Sequence, residues 1–118
     1  MSDQNKQLQS LHAIELNVGE VGTTVRNGRK WYDQVVVTDI VDLVVQTHLG
    51  DKGRKVGTGR IFSKKLVIFF DILARDIDSE HEISSRNYSG LLASMRKAYG
   101  DDFDEDSLVT VLAYRRIA

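Results

Sequence analysis

Apolar residues recur at every second position early in the chain and at helical spacing near its end. Ile14, Leu16 and Val18 alternate with Glu15 and Asn17, the period of a half-buried strand. Val21, Thr23 and Val25 alternate with Gly22, Thr24 and Arg26, which predicts a strand carrying Thr24 and Arg26 on one face. Asn27-Gly28 is a tight-turn signal, because both residues tolerate positive φ. The β-branched runs Val35-Val36-Val37 and Ile40 to Val45 predict short strands around a turn at Thr38-Asp39. Gly50 to Gly59 holds four glycines and four charged residues and predicts a mobile hairpin loop. A strand follows over Val56 to Leu66, weakened or bulged at Gly57 and Gly59. Phe69 to Arg75 suits either a short helix or that strand's continuation.

Tyr88, Leu91, Leu92, Met95, Ala98 and Tyr99 form one apolar face of a helix over Tyr88 to Tyr99. Asn87 or Ser89 can cap its start, Arg96 and Lys97 suit its negative end, and Gly100 supplies a stop. After an acidic loop, Leu108 to Tyr114 predicts a closing strand. Met1 to Gln9 is too polar to order itself, so residues 1–9 are expected to form a flexible tail and 10–118 a single domain. Proline is absent and no internal repeat is visible. The predicted fold class is α+β: a small barrel of about five to six strands with one main helix packed on it, since closure hides the edges of short strands.

With 118 residues, 42% of them hydrophobic and 28% charged, the chain suits one globular core. Its longest apolar run, Leu66 to Phe70, is far shorter than a membrane span, and Met1 to Ser10 lacks a signal peptide's apolar core. With no cysteines, disulfides, thiolate metal sites and cysteine nucleophiles are excluded, and a cytoplasmic location is the expectation. His12, His48 and His81 are too dispersed for a zinc site, the acidic run Asp101 to Asp106 lacks a calcium-loop pattern, and Gly50 to Gly59 lacks a P-loop ending. No metal or cofactor is expected. The net charge is −1. Its distribution is uneven, with Arg26 to Lys30 and Lys52 to Lys65 basic and Asp71 to Glu82 and Asp101 to Asp106 acidic.

The chemistry concentrates in Thr23-Thr24-Val25-Arg26-Asn27-Gly28-Arg29-Lys30-Trp31-Tyr32. Two hydroxyls, three cations and two adjacent aromatics lie within ten residues. Such groups hold phosphates and stack on bases. Arg26 offers a planar fork to phosphate or carboxylate oxygens, with an ion pair to Asp33 or Asp39 as the structural alternative. Arg29 and Lys30 add positive charge. As strand neighbours, Trp31 and Tyr32 would point to opposite faces, one into the core and one toward a base. Arg86 and Tyr88, at the helix start, are candidates for the opposite wall of a cleft, although capping and core packing also account for them.

In this order the chain resembles the ASCH domain family, whose members have a PUA-like β-barrel. The residues that carry the resemblance are Thr24 to Tyr32, Val56-Gly57-Thr58-Gly59, Asn87 to Gly100 and Leu108 to Arg115, within a span of about Leu11 to Ile117. Small stand-alone ASCH proteins occur in bacteria and their phages. The resemblance implies a cleft beside the Thr-x-Arg strand that takes RNA or a nucleotide-like ligand. Some small ASCH proteins remove acyl groups from acylated cytidine nucleosides. Their motif reads Gly-x-Lys-x-x-Thr-x-Arg, and the lysine, the threonine and a downstream glutamate do the chemistry. The corresponding positions here are Gly19, Val21, Thr24 and Arg26.

Threonine and arginine are retained and the lysine is not, and Val21 offers Thr24 neither the adjacent base nor the charge that would activate its hydroxyl. Glu80 and Glu82 lie near the expected glutamate. The leading expectation is therefore RNA or nucleotide binding. Amide hydrolysis centred on Thr24 is the alternative, and a protein-interaction module using the acidic segments is the third reading.

Overall fold

The computed structural model describes residues 5–10, 14, 16–48, 50–72, 74–80 and 83–118. Strand β1 (Lys6–Ser10) is followed by β2 (Val21–Asn27), helix α1 (Lys30–Gln34), β3 (Ile40–Val45) and the long β4 (Arg54–Ile68). A 3-10 turn at Phe69–Asp71, helix α2 (Ala74–Ile77), a second 3-10 turn at Ile83–Ser85, helix α3 (Tyr88–Tyr99) and β5 (Leu108–Arg116) complete the chain. The five strands form one mixed sheet in the order β1-β3-β4-β5-β2, curled into a half-barrel. Only β1 and β3 are parallel.

Strand alternation divides the apolar side chains into two layers. On the inner face, Leu112 and Tyr114 of β5 join Leu8, Val41, Leu43 and Ile61 in one core. On the outer face, Val109 and Val111 join Val25, Phe69, Leu91 and Met95 beneath α3. A bulge lets β4 serve both layers. Ile61 pairs with Tyr114 and Ser63 with Ala113, leaving Phe62 as the extra residue. Before the bulge Gly59 and Ile61 face inward; after it Ser63, Lys65 and Val67 face outward.

Helix α3 has the predicted bounds. Asn87 Oδ1 accepts from the Gly90 main-chain N–H at 2.8 Å, and Gly100 ends the helix at φ 91°. Its buried face is Leu91 and Met95, with Tyr88 and Leu92 packed beside them.

The expected flexible tail over 1–9 is corrected for residues 6–9. They belong to β1, which pairs in parallel with β3 and buries Leu8 fully in the inner core. The Ile14–Val18 alternation forms no strand among its described residues. Ile14 and Leu16 are buried without a ladder, and Val18 stands exposed in a turn. Val36 and Val37 are exposed too, in a turn that holds Thr38 at φ 92°, so β-branching there does not make a strand. Gly50 to Gly59 is loop only to Gly53; from Arg54 onward it is β4. Gly59 has a specific role in that strand: a Cβ there would lie 2.6 Å from the Tyr114 ring. The expected small α+β barrel is present as a five-stranded half-barrel. Its β2 edge is covered by residues 79–80, where Thr23 N–H donates to Ser79 O at 2.9 Å and Thr23 bridges Glu80.

Candidate functional site

Because Thr24 and Arg26 are two residues apart on β2, they share its inner face. Arg26 Nε donates to Thr24 Oγ1 at 3.0 Å, and the Arg26 guanidinium lies 5.9 Å from the Trp31 ring centroid. Thr24 is buried and Arg26 half-buried. Among the described residues no carboxylate pairs with Arg26, because Asp33 engages Arg29 and Asp39 engages Lys6. The arginine therefore keeps donors for a ligand while its ring and hydroxyl contacts fix its direction.

Tyr114 lies on the same face and is fully buried. Burial pushes its phenol upward first, the nearby Glu80 charge adds to that, and Arg26 and Arg116 oppose it. The Glu80 carboxylate and the Arg26 guanidinium thus both act on the Tyr114 phenol, Glu80 from the segment that covers the β2 edge. Glu80 is itself buried, and its main-chain oxygen accepts from Arg86 Nε at 2.8 Å. Sequence reasoning raised Glu80 only as one of two glutamates; Glu82 lies outside the described residues. Tyr114 was missed as a site residue, since its place in a closing strand signals core packing alone.

The remaining candidates divide. Trp31 and Tyr32 are on helix α1, not a strand, and both are half-buried. Trp31 packs against the inner core and faces Arg26. Tyr32 carries Lys64 over its ring at 4.4 Å, while Lys64 Nζ also donates to Tyr32 O at 2.8 Å. Arg29 is exposed and forms a two-pronged ion pair with Asp33 along α1. Lys30 is exposed. Tyr88 is not a cleft wall: its ring packs on Phe69 in the outer layer and its hydroxyl bonds to Glu105. Within the basic segment, Lys55 pairs with Asp42 and Lys65 with Asp76.

Position 21 does not face Thr24. Val21 and Thr23 line a cavity on the outer side of the sheet. A lysine at position 21 of this strand would project away from the Thr24 hydroxyl, so its absence removes nothing from the inner face.

An open mixed half-barrel with a helix on its convex face defines a small α+β PUA-like architecture. No family model matches the sequence, and no curated protein does. Two solved structures share the fold. One is the ASCH domain from Lactobacillus crispatus JV V101, with 18% identity and a TM-score of 0.59 over 83% of this chain. The chain spans 65% of the length of that structure. The other is a DUF984-family protein from Enterococcus faecalis V583, with 7% identity and a TM-score of 0.60, covering 99% of this chain and 83% of that one. The chain thus shares the small α+β fold of these two structures. Among the described residues no helix is long and apolar enough to cross a membrane.

Proposed function

We propose that the protein binds RNA or a nucleotide-like ligand on the inner face beside Thr24 and Arg26. The observation that carries this reading is the Arg26 guanidinium, oriented by Thr24 and Trp31 and free of any carboxylate among the described residues. Its open donors suit phosphate oxygens, and Lys30 at the start of α1 adds a salt-sensitive positive charge, while Arg29 is held by Asp33. A base would stack against the half-buried rings of α1.

The test is a titration of short single-stranded RNAs and nucleoside monophosphates by fluorescence anisotropy at several salt concentrations. Binding should weaken with salt, and Arg26→Ala should lower affinity by about tenfold or more, the loss of a charge-assisted contact of about 1.5–3 kcal/mol. Equal, negligible binding by both proteins sinks the proposal.

Hydrolysis of an acylated cytidine nucleoside is a second reading, favoured by the buried Glu80, whose charge acts on Tyr114 of the inner face. Thr24 would be the nucleophile and Glu80 the base, with the Arg26 cation assisting the hydroxyl. Product detection by mass spectrometry decides it. No turnover, or turnover unchanged in Thr24→Ala, removes it.

A further inference from the structure

The outer face of the sheet holds a second constellation, separate from Arg26. A cavity of about 240 Å³ lies beside α2, between β4, β5 and β2. Thr23 lines it, is more than nine-tenths buried, and has a hydroxyl without a hydrogen-bond partner among the described residues. Such a buried polar atom is destabilising unless something pairs with it. Two further hydroxyls, Ser63 and Ser79, line the same space.

The charge there is lopsided. Lys65 Nζ and Asp76 Oδ2 neutralise each other at 2.8 Å. Arg75, which also lines the cavity, has neither an ion-pair nor a hydrogen-bond partner among the described residues. One guanidinium without a partner among the described residues therefore shares the cavity wall with Thr23, Ser63 and Ser79, the last of which donates its hydroxyl to Asp78 Oδ1 at 3.4 Å. The remaining wall is apolar: Val111 and Ala113 from β5, and the Phe62 ring, half-exposed at the bulge.

We propose that this cavity is a binding site for a small oxyanion attached to an apolar ring, a phosphate monoester or carboxylate of an aromatic compound. Arg75 takes the anionic oxygens, the Thr23 hydroxyl supplies the buried polar contact, and the ring packs against Phe62 and Val111. Lys65 and Asp76 shape the polar side without contributing net charge. The site is independent of nucleotide binding on the inner face, because successive residues of β2 point to opposite sides.

Phenyl phosphate and benzoate serve as probes, followed by amide chemical shifts of the labelled protein. Saturable shifts are expected at Thr23, Ser63 and Ser79, and the tighter probe identifies the oxyanion. Arg75 is exposed, so Arg75→Ala should fold normally and weaken binding by about tenfold or more. Thr23→Val, which keeps the shape and removes the hydroxyl, should weaken it by about fivefold. Arg26→Ala should leave it unchanged. The proposal is overturned by the absence of saturable shifts with either probe, by undiminished binding in Arg75→Ala, or by loss of binding in Arg26→Ala.

Discussion

Gly59→Ala tests the inner core through a single methyl group. Glycine in a strand interior is normally a weak point, and alanine there would stabilise by about 0.5–1 kcal/mol where space allows. Space does not allow it here. The added Cβ would sit 2.6 Å from Tyr114 Cδ2 and 3.3 Å from both Cγ and Cε2. The ring cannot swing outward, because Tyr114 is fully buried among Ile61, Leu112 and Leu43. Overpacking of this kind typically costs about 1–3 kcal/mol, so the sign reverses and the variant is destabilised. With about 2.1 cal/mol/K of unfolding entropy per residue over 118 residues, each 1 kcal/mol moves Tm by about 4 °C. Circular dichroism melts should show Gly59→Ala falling by about 4–12 °C on that scale. In a Tyr114→Ala background the same substitution should be neutral or stabilising, because Cγ, Cδ2 and Cε2 are all gone. A Tm equal to or above wild type for the single variant refutes the placement of the ring over Gly59.

Two further outcomes concern the helix and its surroundings. Asn87→Ala removes the acceptor for Gly90 N–H and should lower stability by about 1 kcal/mol in urea unfolding, with Asn87→Ser retaining most of it. The Tyr88 phenol is pushed up to about 12, first by loss of solvent and then by Glu105. The folded state thus holds this proton at pH values where the unfolded chain, near its ordinary value of 10, has released it. Stability should fall as pH rises from about 10 toward 12, and Tyr88→Phe should flatten that decline in urea midpoints measured across the range.

Helix α3 was legible because its signals are local: an Asn cap, an apolar face at helical spacing and a glycine stop within one segment. The Thr24/Arg26 face was legible for the same reason, since period two fixes it from two residues. Strand β1 was not. Its order comes from a parallel partner more than thirty residues away, and Leu8 alone announces it. Trp31 and Tyr32 were placed on a strand because a five-residue helix carries almost no periodicity; the Arg29–Asp33 spacing was the available hint. Tyr88 stays open between cleft wall and core packing in the sequence because an aromatic at a helix start looks alike whether it meets a ligand or Phe69. Glu80 comes within electrostatic reach of Tyr114 only because residues 79–80 fold back along the β2 edge, which no spacing along the chain records.

The bulge at Phe62 acts as a parity switch within β4. From Gly57 to Ile61, odd-numbered residues face one compartment; downstream of Phe62, they face the other. Substitutions along β4 therefore stay confined to one compartment, whereas losing or gaining a single residue near position 62 would exchange the two for the rest of the strand. Lys65 would leave Asp76, and Val67 would leave the layer under α3. Length is thus constrained more tightly than identity in this strand. Each compartment can change its occupants by point substitution without rewriting the other.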